Sequence, residues 1–169
     1  YAIGGAMALT AWAIPRDTKD VDLSVFVGED QAETVFDSLE RAGVMLDRAD
    51  ARRSVSRIGL FTGRCGRTLV DVFLSAHPPF AAMARRRVRI PLPRGSELWF
   101  LSAEDLCIMK LFYGRAKDVS DLERLFAAIP TLDVDYIRTW LAQMVLEGDR
   151  RLDMLDALVR YAEAGGHLV

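Results

Sequence analysis

Three aspartates are the residues whose type and spacing point to chemistry: Asp20, Asp22 and, further on, Asp71. In Asp20-Val21-Asp22-Leu23-Ser24-Val25-Phe26-Val27, strand alternation puts Asp20 and Asp22 on one face and Val21, Leu23, Val25 and Val27 on the other. The two carboxylates then stand roughly 7 Å apart, from a rise of ~3.3 Å per residue, and repel each other unless a cation lies between them. Mg²⁺ suits such a pair, because it takes oxygen ligands and is held by one or two carboxylates together with substrate phosphates. An isolated D-x-D also describes the solvated face of an edge strand.

The residues upstream favour the first reading. Tyr1-Ala2-Ile3 has the form of a short buried strand, Gly4-Gly5 of a sharp turn, and Ala6 to Ala13 of a helix that Pro15 ends. A strand, a glycine turn and a helix start aim backbone N–H groups and the positive end of a helix dipole at one point, where a phosphate is favourably held. Downstream, two β-like runs, Ser54 to Thr62 and Thr68 to Ser75, flank a turn at residues 63–67 and read as a hairpin. In the second run Leu69, Asp71 and Phe73 share a face, with Val70, Val72 and Leu74 opposite. An ionised aspartate in such company costs several kcal/mol to bury without a partner. That partner is a metal beside Asp20 and Asp22, or an arginine such as Arg57. With the two strands adjacent, three carboxylates suffice for two ions about 3.5 to 4 Å apart, clamping the oxygens of an in-line phosphoryl displacement. Asp71 is then placed to take the proton of the attacking hydroxyl.

Gly4-Gly5, Arg16-x-Thr18-x-Asp20-x-Asp22 and Asp71 in an apolar strand together resemble the DNA polymerase beta-like nucleotidyltransferase superfamily. The likeness is to its small bacterial members, which include antibiotic nucleotidyltransferases and AbiEii-type toxin transferases. Residues 101–125 carry the rest of it, in Asp105-Leu106, Lys110, Arg115, Lys117-Asp118 and Asp121-Leu122. The resemblance implies an α/β (α+β) fold: a short mixed β-sheet flanked by helices as a nucleotidyltransferase core over residues 1–100, and a helical C-terminal segment over 101–169 packed on it. It implies that Gly4, Gly5, Arg16, Thr18 and Lys110 bind the nucleotide, with Lys110 facing the triphosphate. Asp20, Asp22 and Asp71 would be catalytic and hold Mg²⁺, as two ions. The implied reaction moves an NMP from an NTP to an acceptor hydroxyl and releases pyrophosphate. The diglycine lacks a serine hydroxyl, so phosphate contacts there come from backbone alone.

Other segments read as scaffold. Asp30 is placed as the N-cap of a helix from about Gln31 to Ala42 that Gly43 stops, and residues 44–53 read as polar and irregular. Phe80 to Arg89 reads as a short helix or a basic strand entry, Ile90-Pro91-Leu92-Pro93 as a break, and Leu98 to Leu101 as a strand. Ser102-Ala103-Glu104-Asp105 has the capping-box form and opens a helix that runs to Gly114. Lys110 lies on that helix and, facing outward, would be a snorkelling surface lysine; Arg115, Lys117, Asp118 and Asp121 read as helix-terminus salt bridges. Two helices follow, from Val134 to Leu146 and from Arg151 to Ala164, the second ending at Gly165-Gly166.

The totals exclude several classes. With 169 residues the chain has room for one substantial core, and no apolar run approaches the ~18 residues that span a bilayer. Cys65, Cys107, His77 and His167 make no zinc-ligand spacing, and a reducing cytoplasm is the expected location. A net charge of -2 argues against a generally cationic nucleic-acid coat, yet Arg85, Arg86, Arg87, Arg89 and Arg94 fall in a stretch without a single acid. That cluster leans toward RNA such as a tRNA end as acceptor; a small hydroxylated compound or a protein side chain is the alternative. Asp20 to Ser24 also matches the D-x-D-x-[ST] strand of haloacid-dehalogenase-type phosphatases, but there the apolar strand precedes the first aspartate. A non-catalytic module that pairs with a toxin-system partner is the competing non-enzyme reading.

Overall fold

The computed structural model describes residues 1–75, 77–92 and 95–165. Its six strands are β1 (Ala2–Ile3), β2 (Asp20–Ser24), β3 (Leu60–Cys65), β4 (Thr68–Phe73), β5 (Val88–Pro91) and β6 (Glu97–Phe100). They form one mixed sheet in the order β3-β4-β2-β1-β6-β5. Strands β1/β2, β3/β4 and β5/β6 pair antiparallel, whereas β2/β4 and β1/β6 pair parallel. The helices are α1 (Gly5–Trp12), α2 (Ala32–Arg41), α3 (Arg48–Ile58), α4 (Phe80–Arg86), α5 (Ala103–Tyr113), α6 (Ala116–Ala128), α7 (Val134–Ala142) and α8 (Arg150–Glu163). This is the mixed α/β architecture expected from the sequence. Among the described residues no helix is long and apolar enough to cross a membrane.

Two apolar clusters hold the sheet. Val70, Val72 and Leu74 pack with Phe36, Val55 and Phe61, so one face of β4 is sealed by α2 and α3. The larger cluster joins Ala2, Ile3 and Leu9 to Leu106, Leu122, Ile137 and Leu155. Because residues alternate along a strand, sealing Val70 and Val72 on one side leaves Asp71 and Phe73 on the other.

Several local expectations are corrected. Residues 44–53 are not irregular, and Ser54 to Ile58 is not strand, because α3 occupies Arg48–Ile58. Its start is fixed by Asp47, whose side chain accepts from the Asp50 N–H at 3.0 Å, and its end by Gly59 at φ 64°. Only Ala51 and Val55, four apart, are buried on it, too thin a stripe to outweigh the strand-like alternation of Ser54-Val55-Ser56. The hairpin therefore starts at Leu60, and its turn contracts to Gly66-Arg67 between the partners Cys65 and Thr68. Asp30 does not cap α2; it lies in a 3₁₀ turn over Glu29–Gln31, and the helix begins at Ala32. Ile90 and Pro91 belong to β5, an edge strand, where a missing N–H is tolerated. α7 ends at Ala142 rather than Leu146, and α8 spans Arg150–Glu163. Pro93, Gly166 and His167 lie outside the described residues.

Candidate functional site

Asp22 and Asp71 are direct partners in the parallel β2/β4 pairing, and Asp20 stands opposite Leu69. All three line a cleft of about 810 Å³, counting its open mouth, between the sheet, the start of α1, the cleft-facing side of α5 and the start of α6. On α5 the lining residues are Leu106, Met109, Lys110 and Tyr113, the i, i+3, i+4, i+7 stripe of one helix face. Gly4, Gly5, Arg16 and Thr18 line the same cleft, so the residues singled out from sequence share one cavity.

Each is held by identifiable contacts. Gly4 N–H donates to the Asp22 carbonyl at 2.9 Å, tying the turn to β2. Gly5 has φ 55°, and a Cβ there would fall 1.7 Å from Asp22 Oδ2, so only glycine lets that carboxylate lie against the start of α1. Thr18 Oγ1 accepts from the Asp20 backbone N–H at 3.2 Å, at the point where β2 begins. Asp71 has no bond to Arg57; the Thr62 hydroxyl, its cross-strand partner, donates to Asp71 Oδ1 at 2.6 Å. Burial, and then the neighbouring Asp71 charge, push the Asp22 carboxyl above its ordinary value, against the opposing pull of Lys110, Arg115 and Lys117.

The basic side chains are bound to a second set of acids. Lys110, 4 % exposed and no surface lysine, places Nζ 2.6 Å from Asp121 Oδ2 and 3.8 Å from Asp118 Oδ1. Arg16 grips Asp121 with Nε at 2.8 Å from Oδ1 and a terminal nitrogen at 3.0 Å from Oδ2. Arg115 Nε lies 2.7 Å from Asp118 Oδ2, which also accepts from the Arg115 backbone N–H at 3.2 Å. Burial raises the Asp121 carboxyl, but the hydrogen bonds from Arg16 and Lys110 outweigh it and hold it below the ordinary value. Arg115–Asp118 is thus the helix-terminus bridge expected from sequence. Asp121 is instead a buried junction between the residue 13–19 loop, α5 and α6.

Sequence reasoning missed Arg115, Lys117 and Asp118 as cleft residues, and also Ser24, Phe73 and Tyr113. Ser24 and Phe73 were legible as the next same-face positions after Asp22 and Asp71, and Tyr113 as the end of the Lys110 stripe. The arginine cluster looks different in three dimensions. Arg86 lies 2.9 Å from Glu104 and over the Tyr136 ring, Arg89 3.1 Å from Glu97 and over Trp99, and Arg87 over Trp99 and Phe26. Arg86 and Arg89 are paired with acids within the fold, whereas Arg87 rests on rings alone with its Nε buried and unbonded among the described residues; Arg94 lies outside the described residues.

The donor set suits a hard divalent cation: the carboxylates of three aspartates, two of them strand partners, with burial and then their repulsion raising the Asp22 carboxyl. Among the described residues, no three acidic, histidine or cysteine side chains are gathered closely enough to hold an ion alone. An ion here would take Asp22 and Asp71, with Asp20 on the same face, and complete its shell with ligand oxygens and water, as Mg²⁺ commonly does.

Residues 2–164 match the model of a protein family described as a nucleotidyltransferase of unknown function (DUF6036). No curated protein matches the chain. Among solved structures it is similar to an antigenic nucleotidyltransferase-like protein from Paracoccidioides brasiliensis, 17% identical over 92% of this chain and 84% of that one, with a TM-score of 0.42.

Proposed function

The chain belongs to this DUF6036 nucleotidyltransferase family, and from that premise we propose that it moves a nucleoside monophosphate from an NTP to an acceptor hydroxyl. The observation that carries the proposal is the pairing of Asp22 with Asp71 on the Asp20 face of the sheet, in the cleft that also gathers Arg16, Lys110, Arg115 and Lys117. Acids that hold a metal and bases that hold a polyphosphate stand side by side there.

Each group has a task. With the Gly4 N–H taken by the Asp22 carbonyl, the start of α1 offers the N–H groups of Gly5 and Ala6 and a positive helix end to a phosphate. In the Lys110 network three basic side chains, Arg16, Lys110 and Arg115, meet two carboxylates, Asp118 and Asp121, and Lys117 adds a further positive charge nearby. The positive surplus neutralises the β- and γ-phosphates and then the departing pyrophosphate. The acceptor oxygen forms its bond to the α-phosphorus as the bond from that phosphorus to the bridging oxygen breaks. The acceptor proton passes to the Asp71 carboxylate, which Thr62 steadies through one oxygen. Mg²⁺ bound by Asp22 and Asp71, with Asp20, would neutralise charge on the α-phosphate. Positioning and charge neutralisation supply most of the rate, as is general for phosphoryl-group chemistry. A purely scaffolding module has no use for a pair of repelling carboxylates in its cleft.

Incubation with NTPs labelled at the α-phosphate, Mg²⁺ and candidate acceptors tests this. Transfer by the wild type should fall at least a hundredfold in Asp22→Asn and in Asp71→Asn. Equal labelling by all three proteins would remove the enzymatic reading.

A further inference from the structure

Ser24 is a loose end in the cleft. It is 3 % exposed, it faces the cavity, and its hydroxyl makes no hydrogen bond to any described residue. Buried hydroxyls in folded proteins nearly always have a partner, so one that opens only onto a cavity marks where a ligand or a water completes it.

Its surroundings say which ligand. Ser24 lies two residues past Asp22 on the same face, roughly 7 Å along the strand, and its register partner is Phe73, itself two past Asp71. Leu60 is the next residue in that row, and from above, Tyr113 of α5 approaches the Phe73 ring at 6.0 Å between centroids and 62° between planes. The row Leu60, Phe73, Ser24 contributes no charge, while the basic residues of the cleft come from the Arg16 loop, Lys110 on α5 and the start of α6. A cleft with an apolar and aromatic row carrying a single convergent hydroxyl, and a basic side that begins where Arg115 lies 5.3 Å over the Tyr113 ring, matches a molecule that is half polyanion and half neutral aromatic.

Resting on the nucleotidyl-transfer reading above, we infer that the Ser24–Phe73 end of the cleft receives the nucleoside half of the NTP, with Ser24 as its hydrogen-bond partner and Tyr113 as its stacking surface. Ser24 is then a residue that discriminates among nucleosides, while the phosphates are bound independently of it.

Isothermal titration in the presence of Mg²⁺, with each of the four common NTPs and with inorganic tripolyphosphate, separates the two halves. Ser24→Ala, which only removes the hydroxyl, should weaken the best-bound NTP about fivefold, the weight of one neutral hydrogen bond. Tyr113→Ala, at a half-buried position, should weaken it about tenfold or more, the weight of a base stack. Tripolyphosphate should bind wild type and Ser24→Ala alike, and should lose less than the NTP does in Tyr113→Ala, which takes away the ring under Arg115. NTP affinity unchanged in both variants, or tripolyphosphate affinity falling by the same factor, would overturn the inference and leave the transfer reading standing. A wild type that binds neither an NTP nor tripolyphosphate would instead remove the transfer reading itself, and this inference with it.

Discussion

Two pairs of aspartates, one on the cleft wall and one reaching from its edge into the core beneath, differ in one respect. Asp118 and Asp121 each accept from basic side chains, and Asp121 is held below its ordinary pKa by Arg16 and Lys110. Asp22 and Asp71 accept from no basic side chain among the described residues, and the carboxyl of Asp22 is pushed up by burial and by its neighbour. Opposite shifts separate a carboxylate that basic partners satisfy from one that has none. The first pair ties three segments together at a satisfied junction. At the second, burial and the mutual repulsion of the two acids outweigh the pull of Lys110, Arg115 and Lys117 on Asp22.

The largest test of that contrast is Lys110→Met. It removes a buried ammonium and leaves Asp121 with Arg16 alone, and breaking a buried charge pair from one side costs about 3–5 kcal/mol. A loss of that size lowers Tm by about 10 °C or more in a chain of this length, readable by calorimetry. A fall of only a degree or two would mean that the junction is not structural. The stability supplied by Asp121 is present above the pH at which the unfolded chain ionises it, and is lost as pH falls through its lowered folded value.

Gly5→Ala probes the other pair. Its Cβ would collide with Asp22 Oδ2, and φ 55° strains any L-residue, so the carboxylate must move. NMP transfer should drop at least tenfold while the melt moves by a few degrees; undiminished transfer would separate Asp22 from the chemistry.

Tyr136→Phe tests a third buried acid against both pairs. Tyr136 donates to Asp105 Oδ1 at 2.7 Å, while Asp105 Oδ2 has no partner among the described residues and burial raises this carboxyl. Losing the phenol should cost about 1–3 kcal/mol in denaturant unfolding. A neutral result would show that Asp105 is already satisfied elsewhere.

The smallest expected effect has the opposite sign. An acid whose pKa is raised on folding costs stability above the pH at which the unfolded chain ionises, so Asp22→Asn should melt a few degrees higher than wild type at pH 7. The gap should close as pH drops below the ordinary carboxylate range. A variant that melts lower at pH 7 would place Asp22 among the satisfied acids.

Particular residues show why some of this was legible in the chain and some was not. Alternation along Asp20–Ser24 and Thr68–Phe73 is a property of neighbours, so the shared face of Asp20 and Asp22 and the strand character around Asp71 follow from local order. The Gly59 stop and the Asp47 cap were equally local, yet α3 was hidden because only Ala51 and Val55 mark its buried face. Arg16 and Asp121 are 105 positions apart, and no pattern announces their bond.

By itself, then, the sequence determined which side chains share a face of β2, of β4 and of α5, because periodicity is set within a few residues of backbone. Only the tertiary structure decided which acids meet bases and which meet each other. The difference between Asp121 and Asp22 is one of surroundings, assembled from the residue 13–19 loop, α1, β2, β4, α5 and α6, and charge interactions depend on distance through space rather than along the chain.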